Sequence, residues 1–85
     1  MNKEEFDRLF GEFIKHKRKS LNWTQNDLAE KINNDFQNIS RLERGEVSPS
    51  VFWINELAKG FGITLGELMT EFDSFTINQS TPSAK

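Results

Sequence analysis

Apolar residues recur at helical spacing along most of the chain. Phe6, Leu9, Phe10, Phe13 and Ile14 stand three and four apart, and that stripe predicts a helix over about 3–20, opened by Asn2 with Glu5 three residues on. Lys17 falls on the same stripe, where its aliphatic stem is expected to pack while the ammonium reaches outward. Asn22 suits a left-handed turn. Thr24-Gln25-Asn26-Asp27 then reads as a capping box for a second helix running to about Ile32, with Leu28, Ala29 and Ile32 inward. Asn33-Asn34 breaks it. Asp35 is a good N-cap for a third helix over 36–44, with Ile39 and Leu42 inward and Gly45 just past its end.

Ser48-Pro49-Ser50 offers the next start, and Val51, Ile54, Leu57, Ala58 and Phe61 share one helical face that Gly60 and Gly62 are expected to end. Thr64-Leu65-Gly66-Glu67 is a second capping box, predicting a short fifth helix to about Phe72. Residues 73–85 are rich in Ser, Thr, Asn and Pro and predict a flexible tail, in which Phe75 and Ile77 alternate with polar residues as a short strand or clasp would. No useful period-two alternation occurs elsewhere, and there is no internal repeat. The expectation is an all-α, compact five-helix domain at 1–72 followed by a short polar tail at 73–85.

Composition narrows the chemistry. Eighty-five residues suffice for one compact core, and 35% hydrophobic with 28% charged residues is an ordinary globular balance. There is no cysteine and His16 is the sole histidine, which excludes disulfide scaffolds, thiol chemistry, Cys-ligated zinc and multi-histidine metal sites. No run of apolar residues is long enough to span a bilayer, and the acidic start, Met1-Asn2-Lys3-Glu4-Glu5, is unlike an export signal, so a cytoplasmic location is expected. The net charge of −2 argues mildly against a polyanionic partner. Its distribution says more, because residues 1–44 hold nine Lys/Arg against eight Asp/Glu while 45–85 hold two against five. Lys15, Lys17 and Lys19 could clamp phosphate, but a charge run on a first helix is more simply a solvated face.

The informative stretch is 25–44, where two short helices joined by a tight turn can cross steeply because Ala29 is small and Asn33 tolerates the left-handed region. Around it stand Gly11-x-x-Ile14-x-x-x-Arg18, Thr24-Gln25-x-x-Leu28-Ala29, Ile39-Ser40-x-Leu42-Glu43-Arg44-Gly45, Pro49-Ser50, Leu57-Ala58 and Ile63-x-Leu65-x-x-Leu68. In order and spacing, residues 10–69 resemble the phage-repressor-like helix-turn-helix family (lambda repressor and Cro, also called the XRE family). The resemblance implies a DNA-binding domain with its helix-turn-helix at 25–44 and a recognition helix at about 36–44. Gln37 and Arg41 match groove-facing positions, with chemistry suited to adenine N6/N7 and guanine O6/N7; Ser40 and Phe36 share that face. Gln25 and Arg44 match phosphate-contacting positions, joined by Thr24 and Asn38, and Arg18 with Glu43 matches a partly buried salt bridge between helices 1 and 3.

The sequence departs from that family in places. Asn34 stands where relatives bury a small apolar residue. Phe36 stands where they expose a polar one, so it either meets a thymine methyl or folds down to cover the turn. Phe52 and Trp53 occupy usually polar positions, and an exposed Phe-Trp pair wants a partner: a second copy, or the Phe72/Phe75 tail folded back. The resemblance therefore implies a sequence-specific, double-stranded DNA-binding transcriptional regulator of bacterial or phage type, a repressor for example, in the cytoplasm at the nucleoid. It would be a homodimer on a pseudo-palindromic site, with no metal, cofactor, small-molecule ligand, membrane partner or enzymatic activity expected. The alternative is a protein-interaction module on the same fold, of antitoxin-like or regulatory-partner kind, working through the Phe52/Trp53 surface.

Overall fold

The computed structural model describes residues 1–80. Five helices follow in order: α1 Lys3–Ser20, α2 Gln25–Lys31, α3 Phe36–Glu43, α4 Val51–Phe61 and α5 Leu65–Ser80. Each begins where a short polar side chain satisfies backbone N–H groups that have no partner within the helix. Asn2 Oδ1 accepts from the Glu5 N–H at 2.8 Å, Asp35 Oδ1 from Asn38 at 2.8 Å and Ser50 Oγ from Trp53 at 3.0 Å. Both expected capping boxes close. Thr24 Oγ1 accepts from the Asp27 N–H at 3.0 Å while Asp27 Oδ2 accepts from the Thr24 N–H at 2.8 Å, and Thr64 and Glu67 do the same at 3.0 and 2.9 Å. Asn22 and Asn33 reverse the chain with positive φ of 61° and 56°.

The core is filled by Phe10, Ile14, Leu28, Ile39, Leu42, Leu57 and Leu68, all fully buried. α1 packs against α3 and α5, and α2 sits between α3 and α4. Two glycines set how closely helices approach. A Cβ at Gly11 would collide with the carbonyl oxygens of Leu42 and Glu43, so only glycine lets α1 lie directly on the end of α3. At Gly60 a Cβ would stand 2.6 Å from Ile32 Cγ2. Gly60 therefore does not end the fourth helix, as its type had indicated; it lies inside α4 where that helix meets the end of α2, and Gly62 supplies the left-handed cap at φ 79°.

The tail expected from residue 73 is corrected over 73–80, which continue α5; residues 81–85 lie outside the described residues. Leu68, Phe72 and Phe75 form one stripe facing α1. Phe72 packs with Phe6, Phe10 and Phe13 at ring-centroid distances of 5.4, 5.2 and 5.5 Å, and Phe75 reaches Phe13 at 5.6 Å and His16 at 5.7 Å. Burying a phenylalanine side chain is worth about 1.5–3 kcal/mol, more than the few tenths per residue by which Ser74, Thr76 and Asn78 disfavour a helix. Ile77 stays 63% exposed, so its alternation with Phe75 marks no strand. Lys17 does send its ammonium out, to 2.7 Å from Glu71 Oε1 on α5. The described residues include no helix long and apolar enough to cross a membrane.

The loop between α3 and α4 is tied to α1 by a buried carboxylate. Asp7 is 5% exposed, and the Ser48 hydroxyl lies 2.6 Å from both of its oxygens, donating one proton between them, with Lys3 Nζ at 3.2 Å. The Ser48 hydrogen bond holds the Asp7 carboxyl below its ordinary value against the opposing effect of burial, with Lys3 assisting. A carboxylate whose pKa is lower folded than unfolded stabilises the fold above its unfolded pKa, and that contribution disappears as pH falls through the folded one. Ser48→Ala is expected to lower stability at neutral pH and to move the acid-unfolding midpoint upward. Circular dichroism during acid titration measures both, and an unchanged midpoint would show that this contact stabilises nothing.

Candidate nucleic-acid interface

The two faces of α3 differ in chemistry because its inward positions are spent on the core. Ile39 and Leu42 are fully buried, while Gln37 and Arg41 project into solvent and Ser40 is half-buried between them. α3 packs against α2 through a core that includes Leu28 and Ala29, and the turn at Asn33 between them is closed by the Asn34 N–H donating to the Ala29 carbonyl at 2.9 Å. Phe36, Gln37, Ser40, Arg41 and Arg44 line one shallow depression on the outer surface. Phe36 does not fold over the turn. Phe36 is 51% exposed beside Gln37 and Arg41, which leaves it on the outer, solvent-facing side of α3.

Asn34 takes a different role from the apolar residue it replaces. Exposed at the start of α3, it accepts through Oδ1 from the Asp35 N–H and from Asn38 Nδ2, both at 2.8 Å. The Asn38 carboxamide is thereby drawn back toward the turn. Thr24 is exposed, with its oxygen engaged as the α2 cap. Arg44 closes α3, and its guanidinium is shared: Nε and Nη2 donate to Glu46 at 2.8 and 3.1 Å, and Nη1 donates to the Ser40 hydroxyl. Pairing with Arg44 holds the Glu46 carboxyl below its ordinary value, although both groups face solvent. That partner escaped sequence reasoning; the Arg44-Gly45-Glu46 spacing was its only signal.

Behind this face lies a charged network with little access to water. Arg18 and Glu43 meet in a two-point ion pair, Nε to Oε2 at 2.7 Å and Nη2 to Oε1 at 3.0 Å, with side chains only 7% and 2% exposed. Arg18 Nη1 also donates to the Trp23 carbonyl at 2.7 Å, just ahead of α2. Gln25, the first residue of α2, donates from Nε2 to Glu43 Oε1 at 3.0 Å. A second brace, also missed from the sequence, stacks Trp23 on Phe61 at 5.6 Å with 2° between ring planes, and sets Lys31 4.8 Å above Trp23. Aromatic partners far apart in sequence leave no periodic signal.

The expected exposed Phe-Trp pair is corrected. Trp53 is half-buried against the core, and its indole nitrogen is enclosed with no hydrogen-bond partner among the described residues. Its neighbour Phe52 is 73% exposed and Val51 70%. The difference is rotational: Trp53 falls just ahead of the buried Ile54 on α4, whereas Phe52 points away. Phe75 on α5 is occupied by α1. Phe52 and Trp53 do line one groove with Ile32, Asn33, Asn34 and Glu56, beside the helix-turn-helix turn.

Comparison with known proteins agrees with this geometry. The profile of the family described as Helix-turn-helix matches residues 14–68, from the inward side of α1 to α5. An uncharacterized HTH-type transcriptional regulator of Methanothermobacter thermautotrophicus is 39% identical to the chain over 49 residues, covering 58% of this chain and 71% of that relative.

Removing one member of a buried ion pair leaves the other charge without compensation, whereas apolar replacement of both is often nearly neutral. Glu43→Leu is therefore expected to cost about 3–5 kcal/mol, and the joint Arg18→Met/Glu43→Leu replacement markedly less. Urea unfolding measures the difference. Equal losses in the single and joint variants would mean that the pair's charges are not the issue.

Proposed function

The chain belongs to the helix-turn-helix family in its phage-repressor-like (XRE) form, and from that premise we propose that it is a sequence-specific, double-stranded DNA-binding transcriptional regulator. The observation that carries this reading is the outer face of α3, where Gln37 and Arg41 are exposed in one depression with Ser40, Arg44 and Phe36. A helix of this breadth enters a major groove about 12 Å wide. There the Gln37 carboxamide offers a donor and an acceptor to adenine, and the Arg41 guanidinium offers two donors to guanine. Ser40 adds a hydroxyl, and the exposed edge of Phe36 suits a thymine methyl.

Register comes from the backbone. Gln25 and Thr24 at the start of α2, Asn38 beside the turn and Arg44 at the end of α3 contact phosphate, and these contacts carry no sequence information. One recognition helix reads only a few base pairs, so the protein acts as a homodimer on a pseudo-palindromic operator with half-sites about one helical turn apart. The role is occupancy of DNA rather than catalysis, performed in the cytoplasm at the nucleoid. Because Trp53 is committed to the core, the self-association contact rests on Phe52, with Val51 beside it. The exposure of these two residues also favours a second reading, in which the same fold docks another protein through that surface.

Selection from random duplexes at roughly physiological salt, run beside a Gln37→Ala/Arg41→Ala variant, tests the first reading. The unaltered protein is expected to enrich a two-fold symmetric motif that the variant does not. Arg41→Ala alone should cost about 1–3 kcal/mol at that motif and relax one base position. Identical enrichment by both proteins would remove base reading from α3.

Sedimentation of Phe52→Ala separates the two uses of the α4 surface. A weakened monomer–dimer equilibrium with unchanged thermal stability is expected. An unaltered equilibrium would leave that surface to a different protein.

A further inference from the structure

Resting on the reading of Gln25 as a phosphate contact, we propose that Glu43 is a positioning residue for DNA binding. It acts by holding the Gln25 carboxamide in its phosphate-facing orientation before DNA arrives. Glu43 lies on the inward side of α3, and its side chain is almost entirely buried. Yet its Oε1 accepts two hydrogen bonds from different elements, from Arg18 Nη2 and from Gln25 Nε2, each at 3.0 Å. A carboxamide nitrogen carries two N–H bonds and its oxygen accepts independently. One N–H is engaged with Glu43, which fixes the side-chain rotamer. Among the described residues the other N–H has no partner, and in this reading it donates to a phosphate oxygen.

The arrangement also answers an electrostatic difficulty. A bare carboxylate beneath a phosphate contact would repel the DNA backbone. Here Glu43 receives two donors from Arg18, whose third direction is anchored on the Trp23 carbonyl two residues before Gln25. The pair is locally neutral while still ordering the amide. Ordering completed during folding need not be repeated on binding, which is how a preorganised contact gains affinity without a new interaction.

The test uses the full chain and a mixed-sequence DNA duplex two helical turns long at low ionic strength, with fluorescence anisotropy as the readout. Gln25→Ala is expected to lower affinity about tenfold, as for a hydrogen bond to a charged group, without changing the salt dependence, because no cation is lost. Arg18→Met/Glu43→Leu is expected to weaken binding by a similar factor when Gln25 is present. When residue 25 is already alanine, the same pair should change affinity by less than about twofold. Equal weakening in both backgrounds would mean that Glu43 serves the fold alone, leaving the phosphate contact itself standing. No effect of Gln25→Ala would overturn the contact and the proposal together.

Should the joint replacement fail to fold, the unaltered protein still decides. Nuclear magnetic resonance of the Gln25 side-chain amide is expected to show one N–H protected from exchange and an amide less mobile than that of Gln37. Equal mobility of the two amides would overturn the proposal.

Discussion

The meeting of α1, α2 and α3 turns on a two-point ion pair buried behind the outer face of α3. Arg18 from α1 and Glu43 from α3 meet where Gly11 allows the two helices to touch, and Arg18 reaches on to the carbonyl just before α2. Net stabilisation is the weaker account of such a pair, since two charges removed from water recover little more than their desolvation cost. Directionality is the stronger one. A planar guanidinium on a planar carboxylate admits one geometry, whereas leucine on isoleucine admits several. Three elements are thereby tied together behind the outer face of α3.

That rigidity makes a division of labour possible within very short helices. Every turn of α3 spends Ile39 or Leu42 on the core and returns Gln37, Ser40 or Arg41 to the surface. The charges near this surface are balanced rather than simply basic. Arg44 is shared with Glu46 and Ser40, and the net charge of the chain is −2. The surface therefore offers a few directed donors rather than a broad positive field.

Much of this was legible in the residues because the signals are local. The caps at Asn2, Thr24, Asp35, Ser50 and Thr64 are hydrogen bonds across three residues, and the apolar stripes repeat within single helices. Reading failed where a distant partner decides. Ser74, Thr76 and Asn78 look like a tail until Phe72 and Phe75 find the rings of α1. Gly60 looks like a terminator until Ile32 occupies the space a side chain would need. Trp53 looks like half of an exposed pair until the angle of α4 turns it into the core, leaving Phe52 outside.

The site divides in the same way. The identities of Gln37 and Arg41, their spacing on α3 and the capping that starts their helix are properties of a short stretch of chain, set by helical period and hydrogen-bond chemistry. The sequence by itself therefore determined an all-α helix-turn-helix domain and which side chains its outer face presents. What Gln25 holds, where Trp53 sits and how far α5 extends were decided only by the tertiary structure. Each depends on atoms that the chain brings together from far apart, and no local pattern encodes a distance between such groups.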